Sequence, residues 1–430
     1  MPASFTKLFS LRNSKAARNG FWIVVERIFS VGIALLITVI SARYLGAANY
    51  GVLNYGASLV ALFSGVMKLG LDSIMVNELI MHKDKQGDYL GTSIVLRLAS
   101  SMLSILAIGI LLLTLNGDDR ILIMVALIQA FILIFQSFNI LDYWFQSRLQ
   151  SKFVSIAKVI AVTLAAGYSG YLLVSGKDVL WFAASVVVSS IIVAISLLIF
   201  YGKQGGDKLS FSLVSARALL SKSHHFIIAN IISLVYIQID KLMIANTIDN
   251  TQLGIYSAAI VIATGWTFLP DAVITSLRPV IVHAKEQSQE LYIKRLKQLY
   301  FLLFWGCVAI SAILAMLAPF VIAIIFGEDF AASAIIIQII VWYIPLSMLG
   351  IARNIWLVAE EKHKFAKYIL IYGVIVNVSL NLLLLPILGI AGAALATVIT
   401  EVVTCFVAPL FYKSIRPHYK ILIQALIYKI

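Results

Sequence analysis

Apolar residues recur in twelve long runs, separated by short polar segments, from one end of the chain to the other. The runs cover about 21–42, 50–70, 90–115, 121–145, 153–174 and 179–201, then 225–247, 254–278, 298–325, 333–357, 366–385 and 391–411. About twenty residues at 1.5 Å each cross a hydrocarbon core of roughly 30 Å, so each run predicts a membrane-spanning helix. Turn-forming clusters punctuate them: Asn116-Gly117-Asp118-Asp119, Ser175-Gly176-Lys177-Asp178 and Gly327-Glu328-Asp329 read as tight loops. The expected fold is an all-α polytopic membrane protein, with about twelve transmembrane helices in two six-helix bundles around a central cavity.

Basic residues order these spans. Of the 33 Lys and Arg, 24 fall on the side that holds the N-terminus, three (Arg43, Arg120, Lys177) on the other, and six within spans. Lys and Arg concentrate in cytoplasmic loops, which puts both termini in the cytoplasm. The first apolar run is longer than a signal-peptide core and is followed by no small-residue cleavage site, so it is expected to stay as an anchor. The longest polar stretch, 202–224, divides the chain into an N-terminal bundle (1–201, with its cytoplasmic tail) and a C-terminal bundle (225–411), followed by a cytoplasmic tail (412–430). Within the divider, Leu213 to Leu220 has the pattern of an amphipathic helix. Beyond it Leu253-Gly254-Ile255-Tyr256-Ser257-Ala258-Ala259 echoes Tyr50-Gly51-Val52-Leu53-Asn54-Tyr55-Gly56-Ala57 about 200 residues earlier. The echo suggests a parallel repeat about an axis along the membrane normal.

Composition agrees: 61% hydrophobic, 12% charged, mean hydropathy +0.98, against about 25% charged in soluble domains. The net charge of +13 is explained by topology and attraction to lipid surfaces, not by nucleic acid. Cys307 and Cys405 lie in apolar runs without metal spacing and read as packing residues. No Walker loop, zinc spacing, catalytic triad or intramembrane histidine relay is present, no cofactor is implied, and the loops are too short to build an enzyme active site. A polysaccharide polymerase or membrane glycosyltransferase is thus disfavoured.

Charges inside spans are costly and mark candidate sites. Arg27, Arg97 and Lys158 lie about five to eight residues inside their spans, roughly 8–12 Å deep. At one level they would suit a diphosphate headgroup, Arg with its forked donor; snorkelling to headgroups is the competing reading. Glu26, adjacent to Arg27, needs a partner on another span, and Arg97 is one candidate. Lys68, Arg278 and Arg353 read as snorkelling residues. Gln129, Gln136 and Asn139 share a broad face of span four with Asp142, either as an aqueous path for sugars or as helix–helix glue. Trp22, Tyr236 and Trp266 are aromatic faces for sugars or, alternatively, anchors. In the second half Glu401 lies mid-span, Asn377 and Asn381 share one face of span eleven, Asp271 follows Pro270 at an expected helix break, and Asp240 and Lys241 sit in span seven. These are candidates for a proton or sodium site, with an inter-helical hydrogen-bond network, or mutual neutralisation of Asp240 and Lys241, as the alternatives.

Several segments carry a resemblance. They are Asn19-Gly20-Phe21-Trp22 through Glu26-Arg27, Ala42-Arg43-Tyr44-Leu45-Gly46 with Tyr50-Gly51, Leu69-Gly70-Leu71-Asp72, Asn77-Glu78-Leu79, Asp142-Tyr143-Trp144-Phe145-Gln146, Gln238-Ile239-Asp240-Lys241-Leu242-Met243-Ile244, and Gly254-Ile255-Tyr256-Ser257-Ala258-Ala259. Their order resembles the Wzx-type oligosaccharide flippases, in the polysaccharide-transport branch of the multidrug/oligosaccharidyl-lipid/polysaccharide exporter superfamily. The resemblance implies a bacterial inner-membrane protein that moves undecaprenyl-pyrophosphate-linked repeat units to the outer leaflet, for O-antigen (lipopolysaccharide) or capsule assembly. It also implies work alongside a polymerase and a chain-length regulator. Arg27, Arg97, Lys158, Glu26, Asp142 and Lys241 would then line the substrate cavity, and Asp240, Asp271, Glu401, Asn377 and Asn381 would serve a coupling cation. A drug or metabolite antiporter of the same superfamily is the rival; the basic first half argues against an organic cation.

Overall fold

The computed structural model describes residues 15–427, and among them every regular element is a helix. The basic Lys7 and Arg12 of the N-terminal tail, and Lys429 of the C-terminal one, lie outside the described residues. Nine helices are long and apolar enough to cross a membrane, and two bent pairs, Asn250–Thr264 with Phe268–Gln287 and Ser333–Ile340 with Tyr343–Ala359, bring the number to eleven. The first of the nine, Trp22–Met67, has 46 residues, about 69 Å of helix at 1.5 Å per residue and twice a bilayer core. Gly46 breaks it with φ 72° and ψ 170°, a conformation that glycine adopts without steric cost. On each side of Gly46 it is long enough for one span, which makes twelve segments of spanning length, as expected.

The helices are polar within and apolar without. On Gln86–Leu115, Arg97, Ser100, Ser101 and Ser104 are buried, while Met102, Leu103, Leu106, Ile110 and Leu113 are exposed. A water-soluble helix has the reverse pattern. Here lipid accepts the apolar stripe, and small hydroxyl residues let helices approach; Ser100 Oγ donates to the Val66 carbonyl and Ser101 Oγ to that of Leu98.

The chain divides into two compact units, 1–45 with 52–234 and 46–51 with 235–430. In unit 1, Leu71, Met75, Leu79, Leu141, Trp144 and Tyr201 form the core. In unit 2, Tyr292, Tyr300, Ile344, Leu349, Trp356 and Leu422 do so. Leu422 belongs to a last helix, Arg416–Leu426, whose His418 Nε2 lies 2.7 Å from Tyr300 Oη. Burial, aided by the charge of Arg353, pushes the His418 imidazole down to about 3, so it is packed as a neutral ring.

The amphipathic helix read over 213–220 is the start of a continuous 35-residue helix, Leu213–Thr247, and the division between units passes through it. Its first part is tied to unit 1. Lys222 Nζ lies 2.8 Å from both carboxylate oxygens of the buried Glu78, and Ser215 Oγ donates to Asp88.

Within unit 2 Gly51 and Gly254 are both closely packed. A Cβ on Gly51 would stand 1.7 Å from the Asn250 carbonyl oxygen, and one on Gly254 would stand 2.0 Å from that of Ala47. The contact is reciprocal, each glycine meeting the carbonyl four residues before the other. Gly51→Ala or Gly254→Ala is expected to destabilise the protein by about 1–3 kcal/mol through overpacking against backbone. Gly32→Ala, where a Cβ meets nothing within 4 Å, should melt like wild type. Thermal unfolding in detergent checks this; normal melting of both clip variants would refute the contact.

Candidate functional site

Unit 2 encloses a cavity of about 350 Å³ lined by Tyr236, Asp240, Lys241, Tyr256, Asn377 and Glu401, among others. Three helices build its polar wall by the same i,i+4 spacing: Tyr236 and Asp240, Asn377 and Asn381, and Thr397 and Glu401. Facing residues make two rungs. In the first, Asp240 is buried and accepts from Asn381 Nδ2 at 2.7 Å, Thr397 Oγ1 at 2.6 Å and Tyr256 Oη at 3.3 Å. Asn381 Nδ2 also reaches the Asn377 carbonyl at 2.9 Å and its Oδ1 at 3.2 Å. The buried Asn381 Oδ1 has no hydrogen-bond partner. In the second rung Glu401 accepts from Tyr236 Oη at 2.7 Å and from Thr404 Oγ1 at 3.3 Å.

Just beyond Glu401 the helix widens into a π-helical turn, Val403–Val407. Such turns release carbonyls from the regular ladder, and the Thr404 carbonyl accepts from Arg353 Nη1 at 2.8 Å. Arg353, read as a snorkelling residue, is instead buried: the released carbonyl and the nearby Glu401 supply what headgroups would have supplied. Lys241 lines the cavity but makes no ion pair with Asp240 among the described residues. Mutual neutralisation of the two is replaced by three neutral donors to Asp240. The helix break expected near Asp271 is present, at 41° between Thr264 and Phe268. Asp271 itself is exposed and does not line the cavity.

In unit 1 the intramembrane cations gather around two carboxylates, Asp72 and Asp142. Arg97, only 1% exposed, donates from Nη2 to Asp72, whose other oxygen lies 3.7 Å from Lys68 Nζ. Lys158 Nζ lies 3.4 Å from Asp142, which also accepts from Gln146 Nε2 at 3.1 Å. Tyr143 joins them, its hydroxyl bonded to Asp72 and within electrostatic reach of Arg97 and Asp142. The pairing of Glu26 with Arg97 considered from sequence does not occur. Asp72 takes the guanidinium, and Glu26 accepts from Ser30 Oγ at 2.8 Å, one turn away. Arg27 is exposed and in no ion pair among the described residues. Gln129 is buried against Gly56 with an unpartnered side-chain oxygen, while Gln136 and Asn139 are half-buried.

Sequence reasoning missed Asp72, Thr397 and Tyr256. Thr397 carries a usable signal: it precedes Glu401 by four residues, as Asn377 precedes Asn381, which marks one polar face on each of two neighbouring spans.

Comparison with known proteins adds the following. The profile of a family described as "Polysaccharide biosynthesis protein" matches residues 16–285. Agl15 of Haloferax volcanii, named a "probable low-salt glycan biosynthesis flippase", is 23% identical over 403 residues, covering 89% of this chain and 80% of its own. Among solved structures, an inward-facing multidrug-resistance MATE transporter of the MOP superfamily aligns with a TM-score of 0.69 at 14% identity, over 92% of this chain and 95% of its own. The lipid II flippase MurJ in an inward closed conformation aligns with a TM-score of 0.68 at 16% identity, over 94% and 90%. At such identities the two structures establish the shared fold.

Proposed function

Because the chain belongs to the polysaccharide biosynthesis protein family, its profile spanning 16–285, we propose that it is a flippase for lipid-linked oligosaccharides. The observation that carries this is the alignment with a flippase-named relative over 89% of the chain. The finer reading is that it moves an undecaprenyl-pyrophosphate-linked repeat unit from the cytoplasmic to the periplasmic leaflet of a bacterial inner membrane, for O-antigen or capsule assembly. Alternating access is the mode, both termini are cytoplasmic, and a polymerase and chain-length regulator act downstream. The polyprenyl tail stays in lipid while cations meet the diphosphate. Arg27 is the first of these, since it is exposed and unneutralised; Arg97 and Lys158 already hold carboxylates.

Coupling is assigned to unit 2. Asp240, the orphan Asn381 Oδ1, Asn377 and Thr397 supply hard oxygen donors of the kind that suit sodium, and a proton on Asp240 or Glu401 would serve the same cycle. The same donor set favours one second reading, a cation-coupled antiporter of drugs or metabolites.

Deleting the gene in its own organism and radiolabelling the lipid-linked glycan pool on each leaflet tests the proposal. Completed units should accumulate on the cytoplasmic leaflet while surface polysaccharide is lost. Completed but unpolymerised units on the outer leaflet would indicate a polymerase instead. No change in either pool would leave the antiporter.

A further inference from the structure

Unit 1 holds a second cavity, about 580 Å³, lined by Trp22, Arg148, Gln150, Lys152, Phe153 and Gln204 among others. These residues sit at the ends of four spans, with Arg148 just after Arg120–Ser147. Trp22 begins Trp22–Met67, Gln150 and Lys152 border the start of Ser151–Val174, and Gln204 follows Val179–Lys203. That is the level of lipid headgroups.

No acidic side chain lines this cavity, and neither Arg148 nor Lys152 has a carboxylate within ion-pair distance among the described residues. The cations are nonetheless held in place. Arg148 Nη2 donates to Gln86 Oε1 at 2.9 Å, and its guanidinium lies 4.1 Å over the Trp144 ring. The Trp144 indole donates to the same Gln86 oxygen at 3.0 Å, and Gln86 Nε2 is anchored on the Leu79 carbonyl at 2.8 Å. Lys152 Nζ lies 5.4 Å from the Trp22 ring. Asn19 clamps the first helix to Ser151, accepting from its backbone N–H at 2.7 Å and donating to its Oγ at 3.0 Å. Gln150 Oε1 is buried without a partner.

Two positioned cations without a counter-ion call for an anion, and cation–π contacts fix position without cancelling charge. The walls add a second requirement. Trp22 and Phe153 are apolar, and Leu149, also lining the cavity, is 49% exposed, surface that a bare inorganic anion would leave uncovered. We propose that this cavity binds the phosphate headgroup of an anionic phospholipid, its acyl chains lying along Leu149, Phe153 and Trp22. The proposal does not depend on the flippase reading.

Native mass spectrometry of the full-length protein, exposed to phosphatidylglycerol and phosphatidylcholine of the same acyl length, tests it. Wild type should retain one phosphatidylglycerol in preference to phosphatidylcholine. K152Q, which leaves the contacts of Arg148 intact, should reduce that preference by about tenfold, the loss of one charge-assisted hydrogen bond. R148Q/K152Q should abolish it, and K83Q, at an exposed lysine outside the cavity, should leave it unchanged. Equal retention of the two lipids would overturn the proposal, as would an equal effect of K83Q. Inorganic phosphate that displaced the lipid as well as a soluble short-chain phosphatidylglycerol would show a free-anion site and overturn it too.

Discussion

Arg97→Ala is expected to lower the amount and melting temperature of folded protein, and to stop export for that reason. Asp72 would lose the guanidinium that neutralises it, leaving Lys68 at 3.7 Å and the Tyr143 hydroxyl as partners. Removing one member of a fully buried ion pair typically costs about 3–5 kcal/mol; with Asp72 23% exposed and Lys68 still beside it, the cost should fall below that range. The side-chain volume vacated by Arg97 adds to this. Arg97→Ala combined with Asp72→Asn should recover part of the stability, since the stranded charge is gone, although the void remains. Arg27→Ala should behave oppositely. Its side chain is exposed and in no ion pair, so the protein should accumulate and melt normally while glycan export falls. Membrane-fraction yield, detergent melting and surface polysaccharide, measured side by side, separate the two roles. An Arg97→Ala protein that melts like wild type yet exports nothing would return Arg97 to the substrate path.

The pairing of Arg97 with Asp72 rather than Glu26 shows where sequence reasoning ran out. The twelve spans were legible because a lipid solvent demands an apolar exterior along every helix, and the Lys and Arg bias adds an independent check. The break at Gly46 and the bend after Thr264 were legible as a glycine hairpin and a proline-flanked kink. Partners were not. Asp72 lies 25 residues from Arg97, after a turn that includes Leu69 and Gly70 at positive φ, and nothing in spacing tells which carboxylate a buried arginine will meet. Arg353 looked close enough to a surface to snorkel, and its burial depends on a local π-turn that periodicity does not reveal. Tyr236 was read as a sugar-stacking face or an anchor, and the bond from its hydroxyl to Glu401 was not foreseen. Hydropathy thus sets the path of the chain, while contacts between helices determine what each intramembrane polar group does.

Asp240→Asn carries the largest expected effect in unit 2, and it separates a coupling site from a structural crosslink. The substitution keeps shape and hydrogen-bonding capacity. An amide oxygen can still accept from Asn381, and an amide nitrogen can donate to the Thr397 and Tyr256 hydroxyls, which accept as well as donate. Folding should therefore survive with a normal melting temperature. What disappears is the negative charge, and with it the only feature of the rung that an amide network cannot reproduce. If Asp240 holds the coupling cation, export should fall at least about tenfold, since hydrogen bonds and contacts to a charged group contribute roughly 1.5–3 kcal/mol where neutral ones contribute about 1. The purified wild type should melt higher in sodium chloride than in choline chloride, or shift with pH if the proton is the ion, because a ligand of the folded state stabilises it. Asp240→Asn should abolish that ion dependence. Thr397→Val should weaken it less, for it removes one donor and leaves the carboxylate with Asn381 and Tyr256. A variant Asp240→Asn that melts normally and exports at the wild-type rate would make the rung a crosslink between helices and nothing more, because the charge would then have no task that an amide cannot perform.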